Sequence, residues 1–209
     1  MARMKIFRVI SVAFLALGLM DLSSARAEEK SGAEAVIKEL NETLIHVMIN
    51  AERLGYKGRY EVLDPVIRKD FDLPFIARFT VGRYWRGLDA KDRAGIVERF
   101  SALSVSTYAS RFNKFSGENF VIRSSKAARR GRVLVRTRLV KSSGDFIPMD
   151  YVLHKRYGRW SIINVIVEGV SDLSLKRAQY TSIIKNDGVK TLMAKFNEKI
   201  ENHARGKSE

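Results

Sequence analysis

Apolar and polar positions alternate along three consecutive stretches in the second half of the chain, 132–141, 146–154 and 159–168. In the first stretch, positions 133, 135, 137 and 139 carry Val, Val, Thr and Leu, whereas 132, 136 and 138 carry arginines. This period of two is typical of a strand with one side in water. Because the connectors are short enough for hairpins, the pattern predicts an antiparallel meander, with an edge strand at 119–123 before it.

Apolar residues at helical spacing predict helices on both sides of this meander. The expected helices cover 33–54, 60–69, 72–82, a long segment that starts at Asp89 and carries an aromatic stripe, 173–185 and 189–200. Asp72 and Asp89 are predicted N-caps, with Ser171 or Asp172 capping a later helix, and Gly55 and Gly188 are predicted stops. The third strand is apolar on both sides, so helices must cover the sheet. We therefore expect an α+β fold with an antiparallel sheet of about four strands packed against several helices.

The first 27 residues have the features of an export signal. Basic residues precede an apolar run of about 12 residues, which is shorter than the roughly 20 residues of a membrane span, and Ala25-Arg26-Ala27 is a cleavage signal. We predict a signal peptide over 1–27, one domain over 28–201 and a disordered tail over 202–209. The alternative is a single membrane anchor.

Charge and cysteine content narrow the classes of partner. The chain has a formal net charge of +15 and no cysteine, so neither a disulfide nor a thiol site contributes. Export argues against nucleic acid as the partner of this basic surface, and anionic lipid headgroups are the more plausible polyanion. We expect no nucleic-acid partner and a monomer.

Sequence motifs for catalysis are missing from the chain. The three histidines form no metal-binding pair, no nucleophile elbow or phosphate loop occurs, and we expect neither a metal nor a cofactor. Asp150 and Glu168 are candidate acid/base carboxylates, but an exposed strand position and an arginine ion pair are the simpler interpretations. The segment 82–86, Gly-Arg-Tyr-Trp-Arg, is either a packed helix end or a site for a headgroup phosphate.

Several short segments together resemble one protein family, MlaC, the periplasmic phospholipid-binding proteins also called toluene-tolerance auxiliary proteins. They occur in the family's order and spacing at Phe71-Asp72-Leu73-Pro74, Ala77-Arg78, Gly82-Arg83-Tyr84-Trp85-Arg86, Thr107-Tyr108-Ala109, Asp150-Tyr151-Val152-Leu153, Val167-Glu168-Gly169-Val170-Ser171 and Gln179-Tyr180. The sequence of residues 165–177 is most similar to that of the hopanoid-associated branch, HpnM.

The resemblance implies a periplasmic carrier in which a curved antiparallel sheet and helices enclose an apolar cavity for lipid tails. It also implies exchange of phospholipid or hopanoid with an inner-membrane lipid transporter and an outer-membrane acceptor complex, with lipid bound as cargo. From strand alternation and helix stripes we predict ten cavity-wall residues: Phe79, Phe100, Leu103, Tyr108, Val133, Val135, Leu139, Met149, Tyr151 and Leu153. The candidates for headgroup, membrane or partner contact are Arg83, Arg86, Lys126, Arg129 and Arg130.

Three functions remain open from the sequence. A lipid carrier without chemistry fits the export signal, the apolar sheet and the missing catalytic motifs. An adaptor that binds a membrane complex and carries nothing predicts a fully packed core. An exported enzyme would use Asp150 or Glu168, and the missing motifs argue against it.

Overall fold

A computed structural model describes the backbone of residues 10–207 and the side chains of residues 30–207. The predicted signal peptide and its cleavage after Ala27 lie outside the described side chains and stay predictions. Within residues 10–207, no helix combines the length and apolar character needed to cross a membrane.

Residues 10–207 form five α-helices and one antiparallel sheet. In chain order the elements are α1 (Ile10–Ile49), α2 (Ala51–Asp70), α3 (Leu73–Val81), a 3₁₀ segment (Gly82–Gly87), α4 (Ala90–Arg111), β1 (Asn119–Ala128), β2 (Arg132–Val140), β3 (Phe146–Arg156), β4 (Arg159–Val167), β5 (Val170–Ser171) and α5 (Asp172–Ala204). The sheet order is β1-β2-β3-β4-β5. The α+β fold is confirmed, and the sheet has one more strand than expected because β5 is only two residues long.

The sheet has two ends with different surroundings. At one end β1 and β3 begin, β2 and β4 finish, and β5 pairs with β4; this is the β5 end. Leu139 is paired with Ile147 there, and Met149 with Val167. The opposite end, called the turn end, holds the β1–β2 and β3–β4 turns.

Strand β4 contains a bulge, which lets Ile162 and Val165 lie on the same side although they are three positions apart. Its register with β3 shifts between Val152 and Leu153, and Ile163 is the extra residue. Tyr151 pairs with Val165 and Leu153 with Ile162, so those β4 residues share the inner side of the sheet with β3. The inner side of β4, which the sequence left ambiguous, is thereby assigned.

Helix α1 covers the turn end of the sheet. Gly32 lies against the ring of Trp160, where an added Cβ would be 2.9 Å from Cδ1. Two residues further along α1, Glu34 accepts a hydrogen bond from the hydroxyl of Ser125 on β1. Val133 and Leu153, which pair with each other, are fully buried at this end.

Helix ends and breaks largely follow the sequence prediction. Asp72, Asp89 and Ser171 each accept a hydrogen bond from a backbone N–H in the first turn of α3, α4 and α5. Gly55 and Gly188 have non-helical backbones, with φ of 59° and 83°, and break α2 and α5 where stops were predicted. Such φ values favour glycine because it has no Cβ.

Three predicted boundaries differ from the structure. Helix α4 ends at Arg111, so Phe115, which continues the apolar spacing of the aromatic stripe in the sequence, lies beyond the helix. Strand β1 continues to Ala128, past the predicted end at residue 123, and Lys126 therefore lies in this strand. Helix α5 continues to Ala204, past the start of the predicted tail, and His203 Nδ1 lies 2.8 Å from the hydroxyl of Ser106, which fixes this last turn to α4.

Candidate functional site

A cavity of about 320 Å³ lies between the β5 end of the sheet and helices α3, α4 and α5. Its wall is mostly apolar. The lining residues are Phe71, Leu73, Ile76, Phe100, Leu103, Ser104, Thr107, Tyr108, Arg111, Phe112, Leu139, Ile147, Met149, Ile163, Asn164, Val165, Val167, Asp172, Leu173 and Lys176. This volume is at the lower end of the usual range for ligand pockets, roughly 300–1,000 Å³.

Aromatic rings form the helix side of the cavity wall. Tyr108 and Phe112 stack with centroids 5.6 Å apart, and Phe71 meets Tyr108 edge-on at 5.7 Å. Phe112 also contacts Phe120 of β1, with centroids 6.2 Å apart. Because each ring packs against another ring, these contacts fix the positions of the aromatic side chains where α4 faces the sheet.

Asp72 fixes the N-terminus of α3 over the sheet. Its Oδ1 accepts a hydrogen bond from the N–H of Phe75 at 3.0 Å, and its Oδ2 lies 2.9 Å from Nε2 of His154 on β3. The backbone N–H of Asp72 donates to the carbonyl of Ile162 on β4 at 3.0 Å. Leu73 and Ile76 are therefore placed as cavity-wall residues by a cap that also binds two strands.

Charged groups occur only on part of the cavity wall. Lys176 and Asp172, one turn apart on α5, form an ion pair. Burial lowers the pKa of Lys176, and Asp172 opposes this shift. Arg111 comes from the end of α4 and makes no hydrogen bond or ion pair with any residue whose side chain the structure describes. Asn164 Oδ1 accepts from the N–H of Leu173 at 3.1 Å and anchors the start of α5.

Two tyrosine hydroxyls are buried beside the aromatic wall. Burial raises the pKa of both Tyr108 and Tyr151. The hydroxyl of Tyr151 is enclosed and has no hydrogen-bond partner among residues 30–207. Both side chains therefore stay neutral at any physiological pH.

The structure places five of the ten predicted wall residues on the cavity: Phe100, Leu103, Tyr108, Leu139 and Met149. Four others share the inner side of the sheet but are buried away from the cavity: Val133, Val135, Tyr151 and Leu153. Phe79 is outside, with its ring partly exposed and the guanidinium of Arg177 4.7 Å from its centroid. Contact of the cavity residues with lipid stays a prediction.

The basic residues predicted for headgroup or partner contact do not line the cavity. Arg83 and Arg86 are exposed on the 3₁₀ segment, where Arg83 donates to the hydroxyl of Tyr84 at 3.1 Å. Lys126, Arg129 and Arg130 are exposed towards the turn end: Lys126 pairs with Leu134, about 17 Å along β2 from Leu139, and the turn with Arg129 and Arg130 lies beyond Arg132, about 23 Å from Leu139. Their placement argues against headgroup contact, and partner contact stays a prediction.

The sequence prediction did not include the two cavity cations, Arg111 and Lys176. On a helical wheel both resemble ordinary solvent-facing residues. Only their positions in the sequence could have indicated that they line the cavity. Arg111 follows Tyr108 by three residues at the end of the aromatic stripe, and Lys176 follows the Ser171 cap by five residues.

The two candidate acid/base carboxylates lie outside the cavity wall. Asp150 Oδ1 accepts from the N–H of Thr137 at 3.3 Å, and its Oδ2 is 4.0 Å from Nε of Arg136. Glu168 is exposed in the turn before β5. Among the described residues, no group of His, Asp and Glu is arranged to hold a metal ion.

Comparison with known proteins places these features in context. The chain is 21% identical over 158 residues to the intermembrane phospholipid transport system binding protein MlaC of Haemophilus influenzae, covering 72% of this chain and 74% of that protein. It is 24% identical over 146 residues to the toluene tolerance protein ttg2D of Pseudomonas putida, covering 67% of each.

The fold is shared with a solved structure, that of the phospholipid-binding protein from Ralstonia solanacearum in complex with a phospholipid. The TM-score is 0.72 at 19% identity, covering 82% of this chain and 98% of that one. The family model described as MlaC protein matches residues 38–198, which include every element from α2 to β5 and most of α5. The chain therefore belongs to the MlaC family.

Proposed function

We propose that this chain is a periplasmic lipid carrier, which binds lipid tails in the cavity under α3, α4 and α5 and shuttles lipid between the inner and outer membranes. It carries out no chemistry on its cargo. An inner-membrane lipid transporter and an outer-membrane acceptor complex are the partners with which it exchanges lipid. The carrier acts as a monomer.

The observation that carries this proposal is the apolar cavity. Each CH₂ that leaves a bilayer loses about 0.8 kcal/mol, so an acyl chain needs an enclosed apolar site rather than a surface patch. The lining from Leu103, Leu139 and Val165 supplies such a site. A protein that carries nothing gains no benefit from a cavity, because empty apolar space destabilises the fold. The cavity therefore favours the carrier over the adaptor.

The cargo is either a phospholipid or a hopanoid. The names of the Haemophilus and Ralstonia proteins support phospholipid. The similarity of residues 165–177 to the HpnM branch supports hopanoid. Both cargoes consist largely of hydrocarbon, so either gains the same kind of stabilisation from this wall.

Lipid uptake from vesicles tests the proposal. Delipidated protein is incubated with vesicles of phosphatidylethanolamine and phosphatidylglycerol, separated, and its bound lipid quantified. We expect stoichiometric uptake by the natural chain. Ser104 lies on the cavity wall, so Ser104→Trp should fill the cavity with an indole ring and reduce uptake at least tenfold.

The matched control is Ala94→Trp, which places the same ring on an exposed position of the same helix. We expect it to take up lipid like the natural chain. No uptake by the natural chain, tested with hopanoid as well, or equal uptake by the two tryptophan variants, contradicts the proposal.

A further inference from the structure

The charged part of the cavity wall brings together Arg111 from α4 and Lys176 and Asp172 from α5. We infer that Arg111 and Lys176 form a binding site for the phosphate of a lipid headgroup, and that Asp172 holds Lys176 while the site is empty. This inference rests on the proposed function, since it assumes that lipid tails occupy the adjoining cavity.

Charge balance is the first argument. Arg111 and Lys176 contribute two positive charges to the cavity wall and Asp172 one negative charge. The net charge of the wall is therefore one positive charge, which the single negative charge of a phosphodiester would neutralise. A bound phosphate would make the wall neutral, and an uncharged lipid would not.

The second argument is the isolation of Arg111. Its guanidinium has no hydrogen-bond or ion-pair partner among residues 30–207, although it borders an apolar cavity. A guanidinium presents a planar set of N–H donors that matches two phosphate oxygens. Arg111 is exposed, so its guanidinium is solvated and free to turn towards a headgroup at the rim of the cavity, whereas the buried Arg59 is held by the carbonyls of Ala51 and Ala109, both at 2.9 Å.

The third argument is repulsion between the two cations. Burial lowers the pKa of Lys176, and the neighbouring charges of Arg111 and Lys199 lower it further. Both cations line the same cavity, so the charge of Arg111 disfavours the ammonium form of Lys176. A phosphate between the two side chains would convert this repulsion into two attractions.

Asp172 determines how the site is occupied. Its carboxylate pairs with Lys176 and repels an incoming phosphate, so the phosphate must replace it as the partner of Lys176. The side chain of Asp172 is 42% exposed, so it can turn to solvent when it is displaced. Asp172→Asn should therefore strengthen phosphate binding, which a purely structural ion pair would not do.

The experiment compares two lipids with identical tails, dioleoylphosphatidylglycerol and dioleoylglycerol, offered as an equimolar mixture to delipidated protein. The bound ratio is measured by mass spectrometry of the extract. We expect the natural chain to prefer the phosphate-bearing lipid by about tenfold or more. A single hydrogen bond to a charged group is enough for a preference of about that size. Arg111→Gln and Lys176→Met should each remove most of this preference, and Asp172→Asn should increase it.

Arg129→Gln and Lys126→Met are the matched controls, because they remove the same charges at the turn end. We expect both to keep the natural ratio. If neither lipid binds, the phosphate site is overturned, and the carrier function fails as well when added hopanoid is not taken up either. If both lipids bind but the natural chain shows no preference, or the preference survives in the Arg111 and Lys176 variants, only the phosphate site is overturned.

Inorganic phosphate distinguishes a headgroup site from a site for the free ion. Without tails, millimolar phosphate should not displace bound phosphatidylglycerol. Arg111-dependent binding of inorganic phosphate at micromolar concentration, together with an unchanged lipid ratio in Arg111→Gln, would assign the site to the free anion and contradict the headgroup site.

Discussion

Among the carboxyl groups of residues 30–207, Asp70 at the end of α2 has the pKa that its surroundings shift most. It is 1% exposed, and its Oδ2 has no hydrogen-bond partner within residues 30–207. Burial, together with the nearby Glu39, raises the pKa of Asp70 to about 6, although Lys69 and Arg159 oppose the shift. The folded state therefore holds a proton on Asp70 at pH values where the unfolded chain has lost it.

This pKa predicts how stability depends on pH. Because the folded pKa of about 6 exceeds the ordinary value of 3.8, the free energy of unfolding should fall as pH rises from about 4 to about 6. Asp70→Asn should remove this fall and stabilise the protein at pH 7 by up to about 3 kcal/mol. Denaturant unfolding at several pH values measures both effects.

Glu61→Gln is the control for Asp70→Asn, because Glu61 is an exposed carboxyl on the same helix. We expect it to keep the pH dependence of the natural chain. An Asp70→Asn variant with an unchanged fall between pH 4 and pH 6 would show that Asp70 is not the titrating group.

Residue-level prediction from sequence works for side chains whose neighbours are local. Asp72, Asp89 and Ser171 are recognisable as caps because each bonds a backbone N–H three residues ahead. Arg111 and Lys176 are 65 positions apart in the chain, and only the packing of α4 beside α5 brings them to one cavity. No local pattern distinguishes such cations from those of a solvated helix face.

Among elements, the broken helix α5 depends on one glycine. Gly188 has φ 83° and ψ 169°, a conformation in which a Cβ is strained, and no atom lies within 4 Å of a Cβ built there. Backbone strain alone should therefore decide the cost of a substitution.

We predict that Gly188→Ala lowers the free energy of unfolding by about 1–3 kcal/mol. Gly87→Ala is the matched control, since that glycine also has open space around its Cβ but no positive φ. The control should be neutral or slightly stabilising. Equal unfolding midpoints for the two variants in denaturant would contradict this prediction, because they would show that a Cβ at position 188 causes no backbone strain.

The two inner strands show how far element-level prediction reaches. Alternation correctly placed Val133, Val135, Leu139 and Met149 on one side of the sheet, because the period of two is a property of the backbone itself. The alternation does not show which end of the inner side of the sheet is covered by helix α1. Leu139 and Met149 therefore line the cavity while Val133 and Val135 are closed off in the core.

At the scale of the whole molecule, the helices divide the inner side of the sheet. Helix α1 closes the turn end, and α3, α4 and α5 leave a cavity at the β5 end. The exposed cations Lys126, Arg129 and Arg130 lie at the turn end, away from the cavity charges. A partner or membrane that contacts the turn end would leave the cavity free, so cargo binding and docking can occupy opposite ends of one carrier.

The central claim is that this protein carries lipid in its cavity. Mass spectrometry of an organic extract tests it most directly, using full-length protein purified without detergent from the periplasm of its own host. We predict about one lipid molecule per protein, with phosphate-bearing lipid dominating. An extract without lipid, from a protein that also takes up neither added phospholipid nor added hopanoid, would contradict the carrier function and favour an adaptor.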